Sequence, residues 1–154
     1  MKTPKLIKHG IMYSMLIGSL LTIGSCKKEK SSKNSVDDVF GGWTEIQAME
    51  GTARELHFSQ NGTFFMRLTY FKIPISFSQF SGTFKIKGDS LSVTVKEQLT
   101  QEGNQPSVIM PMNTKLYDDA TFTITNAILT LKYTTYPADA PVATQVKFQK
   151  QLPD

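Results

Sequence analysis

The chain has 154 residues, one domain's worth on a prior of roughly 100–200 residues per domain. Lys+Arg number 17 against 13 Asp+Glu, a formal +4, but from Gly41 to Asp154 ten basic residues balance ten acidic ones. That neutrality argues against nucleic acid as a partner, and the single cysteine excludes a disulfide framework or a cysteine-rich metal site.

Lys2, Lys5 and Lys8 precede an apolar run from Ile11 to Ile23. Thirteen helical residues reach about 20 Å, short of a bilayer core of roughly 30 Å, so the run reads as a signal h-region. It ends in Ile23-Gly24-Ser25-Cys26, which resembles the lipobox of bacterial lipoproteins. The resemblance implies that residues 1–25 are a lipoprotein signal peptide and that Cys26 is lipidated. Acyl chains of the palmitate kind then hold the protein to a membrane at about 0.8 kcal/mol per buried methylene. Lys27 stands where the enteric pattern for inner-membrane retention calls for aspartate, which implies the outer membrane; the periplasmic or surface-exposed face stays open. Residues 26–40 are rich in Lys and Ser without apolar periodicity and read as a flexible tether, leaving 41–154 as the folded domain.

From Trp43 onward the apolar period is two. Leu56 and Phe58 open the pattern, followed by Phe64, Met66, Leu68 and Tyr70 on one face. Phe84 and Ile86, then Leu91, Val93 and Val95, continue it. Phe122 and Ile124, Leu129, Leu131 and Tyr133, and finally Val146 and Phe148 complete it. Strands with one buried face produce this alternation, so the domain is expected to be all-β. Eight strands are predicted, at about 43–49, 53–59, 63–71, 80–87, 90–97, 120–125, 128–134 and 143–149. Asn61-Gly62, Gly88-Asp89 and Asn126-Ala127 mark tight turns. The connections after the third, fifth and seventh strands, 72–79, 98–119 and 135–142, are long. In an eight-stranded antiparallel up-and-down barrel they all fall at one end, away from the tether. Trp43, at the opposite end, is expected to floor the core.

Gly41-Gly42-Trp43 resembles the Gly-x-Trp opening of lipocalins. FSQNGTF at 58–64 and GTFKIKGDSLSV at 82–93 are similar to recurring elements of the lipocalin-like domain in small Gram-negative lipoproteins. The resemblance implies a lipocalin-like barrel able to hold an apolar small molecule.

Catalytic chemistry has little to work with. His57 faces outward by alternation, Ser59 and Ser92 lack a His–acid pair, and Asp118-Asp119 would point to opposite faces of a strand. No cluster has metal-ligand spacing, and no cofactor is expected. The leading expectation is a non-enzymatic binding protein. Its small apolar or amphipathic ligand would be lined by Leu68, Tyr70, Phe77, Phe80, Met110, Met112 and Tyr133 and gated by the 98–119 loop. The rival is a solid barrel whose long loops bind a protein or a glycan.

Overall fold

The computed structural model describes residues 36–137 and 140–152, without the side chains of residues 118 and 119. Residues 32–154 form a compact unit of their own. A single helical turn, α1 (Val36–Val39), precedes nine strands: β1 (Gly41–Glu45), β2 (Thr52–Phe58), β3 (Thr63–Tyr70), β4 (Ser76–Lys87), β5 (Ser90–Glu102), β6 (Val108–Lys115), β7 (Asp118–Thr125), β8 (Ile128–Thr135) and β9 (Val142–Lys150).

Eight of these close an antiparallel barrel in the order β1, β2, β3, β4, β5, β7, β8, β9 and back to β1. The ninth, β6, runs along the same edge of β5 as β7, displaced toward the other end. Thr94 pairs with Lys115 and Thr100 with Val108, whereas Ser90 pairs with Thr121 and Leu91 with Ala120. Leu116 and Tyr117 lie between the two strands, and the Leu116 amide donates to the Val93 carbonyl at 3.1 Å.

The tight turns follow from local chemistry. Gly62 (φ +82°) and Gly88 (φ +65°) supply the left-handed conformation, and Asn61 Oδ1 accepts from both the amide and the hydroxyl of Thr63. Asn126 and Ala127 both have positive φ, the requirement of a two-residue hairpin turn whose twist matches its strands.

The barrel interior is occupied by one contiguous cluster. It contains the rings of Trp43, Phe58, Phe64, Phe84, Phe122 and Phe148, with Leu56, Leu91, Val93, Leu129 and Leu131 between them. All but Trp43, which was expected as the floor of the core, sit at the positions that alternation assigned to the inner face.

Three expectations are corrected. The 98–119 stretch is not a loop: β5 runs on to Glu102, residues 103–107 turn, and β6 returns along it. Likewise β4 starts at Ser76, so the connection after β3 shrinks to residues 71–75. Both segments are polar on both faces or broken by proline, which erases the period-two signal while backbone pairing persists. Finally, residues 36–40 are packed rather than tethering, since Val39 is buried and Phe40 packs on the core. Cys26 and the segment before it lie outside the described residues.

A β-bulge decides what faces inward at the long-loop end. Register shifts between Val95 and Glu97, so the inward residues of β5 change from Leu91, Val93 and Val95 to Gln98, Thr100 and Glu102. Gly82 on β4 sits opposite. A Cβ there would fall on the Thr94 carbonyl oxygen and lie 2.9 Å from Val95 Cα, so only glycine admits this approach.

Candidate functional site

The two ends of the barrel differ in chemistry. At the end where the chain enters, Trp43 is fully buried and its Nε1 donates to the Val39 carbonyl at 2.8 Å. Lys150, paired with Trp43 in register, lays its ammonium 5.0 Å from the indole centroid and donates to the Asp38 carbonyl at 2.9 Å. This end is shut by α1, the lysine and the indole.

Above the aromatic core lies a polar layer. Tyr117 is buried, its ring 4.8 Å from that of Tyr133, and its hydroxyl donates to Met66 Sδ at 3.8 Å. Burial, then the neighbouring Tyr133, pushes the Tyr117 phenol well above the usual tyrosine range. Glu45 and Arg54 form an ion pair at this level, Nε to Oε2 3.5 Å, with Arg54 the more exposed partner.

Beyond that layer, β3, β4, β5 and β6 extend as a ribbon with a cleft of about 510 Å³ on it. The register places Tyr70, Ser76 and Glu102 in one row, and Ser78, Thr100 and Val108 in the next, all lining the cleft. The face that continues the barrel interior is therefore dominated by hydroxyls and a carboxylate. The opposite face of the same strands carries Phe65 and Phe77. There the Arg67 guanidinium lies 4.7 Å over the Phe77 ring and Nη2 donates to Gln79 Oε1 at 3.0 Å, while Nε is buried without a partner. His57 stacks on Phe65 at 5.1 Å, the rings nearly parallel.

The rim itself is apolar. Ile46 and Met49 project from the β1–β2 turn, Phe71, Ile73 and Ile75 from the β3–β4 connection, and Tyr136 from the β8–β9 connection. Val108, Ile109 and Met110 are exposed on β6, and Ile73 is almost wholly so, at 97%. Ten of the 13 large hydrophobic residues that the described surface exposes lie in these stretches or in Tyr70 beside them, so the clustering is positional.

The seven expected lining residues are not brought into one pocket. Tyr70 lines the cleft and Leu68 lies just below it on the same face. Phe80 packs against the core, opposite Met66, and Tyr133 packs against Tyr117 beneath the mouth. Phe77 pairs with Thr69 and Gln101 on the outer face, under Arg67, although it also borders the cleft. Met110 is exposed on β6 and Met112 half-buried beside the bulge. Phe77 and Phe80 are three residues apart on one strand and so cannot share a face. Ser76, Ser78, Thr100 and Glu102 went unread as site residues. Their signal is present as polar residues at two-residue spacing, but polarity alone does not say which face is inside.

Ser92 is exposed on the outer wall, opposite Lys85. Among the described residues no group of three His, Cys, Asp or Glu is placed to hold a metal ion. No protein family, curated protein or solved structure matches the chain.

Proposed function

We propose that the protein is a lipid-anchored, non-enzymatic binding module of a Gram-negative cell envelope, engaging its partner at the rim above a solid core. The observation that supports this most is the change of wall chemistry with height. Large rings fill the barrel from Trp43 upward, Tyr117, Glu45 and Arg54 overlie them, and the mouth is lined by Ser76, Ser78 and Thr100. A purely apolar guest at the mouth would desolvate those groups without pairing them, at about 1–3 kcal/mol each. The anchor reading rests on the lipobox-like Ile23-Gly24-Ser25-Cys26. The chain enters the barrel at the shut end, opposite the rim.

A second reading, an amphipathic small ligand lying across the mouth, is favoured by the exposed Val108 in the cleft and the exposed Ile73 and Ile75 in the depression beside it. Native mass spectrometry of residues 27–154, secreted without the anchor, separates the two. A clean apo mass is expected. A co-purifying species of fatty-acid or isoprenoid size would replace the first reading with the second.

A further inference from the structure

We infer that the mouth cleft binds a neutral, hydroxyl-rich ligand of the oligosaccharide class. This rests on the proposed function and names the ligand chemistry of that same site.

The cleft selects by donor and acceptor character. Ser76, Ser78 and Thr100 each both donate and accept hydrogen bonds, whereas the Glu102 carboxylate only accepts. Adjacent strands lie about 4.8 Å apart and same-face residues about 6.8 Å apart along a strand. The register therefore spreads these groups as a two-row lattice with hydrogen-bonding sites on both sides of the groove. A polyol, whose hydroxyls also donate and accept, satisfies such a lattice. A fatty acyl chain does not. Tyr70 completes one row and is 39% exposed, offering an aromatic face to the C–H side of a sugar ring. Among the residues lining the cleft Glu102 is the only charged one, so no cation is there to draw in an acidic ligand.

The walls are also held in place. The Gly103 amide donates to the Ile75 carbonyl at 2.8 Å, tying the β5–β6 turn to the β3–β4 connection. Within the turn, the Gln105 amide donates to the Glu102 carbonyl at 3.0 Å. Gln101 Nε2 donates to the Gly103 carbonyl, and Ser107 Oγ to Gln101 Oε1, both at 3.3 Å. Gly103 has φ +54°, and a Cβ there would meet Pro74 at 3.0 Å, so the close approach of the two connections depends on glycine. Preorganised walls reduce the ordering cost that weakens binding at loop-built sites. A volume of about 510 Å³ lies within the range of small-ligand sites.

The test is isothermal titration of the full chain in phosphatidylethanolamine–phosphatidylglycerol nanodiscs. The probes are defined neutral malto-, cello-, xylo- and chito-oligosaccharides, with a polyuronate as the acidic control. At least one neutral oligosaccharide is expected to bind saturably and the polyuronate not to. Tyr70→Ala and Thr100→Val should each weaken binding about tenfold or more, and Tyr70→Phe should restore it. Unchanged Trp43 emission, from the far end of the barrel, shows that each variant is folded. Absence of saturable binding by every neutral oligosaccharide, preference for the polyuronate, or binding that survives both variants overturns the inference. Failure here with a clean apo mass leaves the rim-binding module standing. A co-purified lipid removes that module reading as well.

Discussion

Lys150 and Trp43 meet at the foot of the barrel, ammonium above indole at 5.0 Å, and both reach back to hold α1 by its carbonyls. The indole is the chain's only tryptophan, so its emission reports this contact directly. Lys150→Met should lower stability by about 0.5–1 kcal/mol, the value of a partly exposed cation–π contact, and shift the emission. Trp43→Phe keeps most of the ring but strands the Val39 carbonyl. It should cost about 2 kcal/mol or more, read by denaturant unfolding followed by circular dichroism. Equal stability of Trp43→Phe and wild type would mean that water replaces the lost donor.

Gly82 is the counterpart at the bulge. Because a Cβ there meets the Thr94 carbonyl backbone and no flexible side chain, Gly82→Ala cannot be absorbed by a rotamer change. A loss of about 1–3 kcal/mol is expected, the usual cost of overpacking. Gly88→Ala, where nothing lies within 4 Å but φ is +65°, should cost less, about 1 kcal/mol. Paired urea titrations would check the order of the two.

Tyr117 makes the fold sensitive to alkali. Its phenol keeps its proton more tightly folded than unfolded, since burial opposes the phenolate. Its contribution is therefore fully present below the unfolded value of about 10 and falls away as pH rises above it. Stability should decline there with an added slope of up to about 1.4 kcal/mol per pH unit, and Tyr117→Phe should remove that added slope. Urea midpoints measured from pH 8 to 11 on both proteins decide this; parallel curves would refute it.

Anchoring has its own test. Cys26→Ser should abolish incorporation of labelled palmitate and leave the protein extractable without detergent, while circular dichroism of the folded domain stays unchanged. Label retained in the variant would place the acyl chain elsewhere.

Where sequence and structure agree, the reason is burial. Phe58, Phe64, Leu91, Val93, Leu129, Leu131 and Phe148 alternate with polar neighbours because one face of each strand meets a water-free interior. That pattern survives in a single sequence, and seven alternating runs with the Trp43 strand suffice for an eight-stranded barrel. The Asn-Gly turn is local too, as is the placing of Trp43 at the end where the chain enters.

The mouth was not legible in the same way. Alternation records the parity of residues along one strand, and the bulge after Val95 reverses that parity for Gln98, Leu99 and Thr100, so that the one apolar residue among them, Leu99, marks the wrong face. Leu99 thereby goes to the outer face, beside Gln79 and Ile109, and Thr100 to the inner one. Closure of β5 on β7, burial of Tyr117 from a stretch that reads as loop, and the meeting of Ser78 with Thr100 all depend on backbone pairing between distant residues. Such pairing is set by register and twist, which polar segments leave unencoded in their own composition. The amino-acid sequence by itself therefore determined the barrel and its core. Only the tertiary structure decided that its mouth is polar, because the parity of the lining strands is fixed across the sheet and not along the chain.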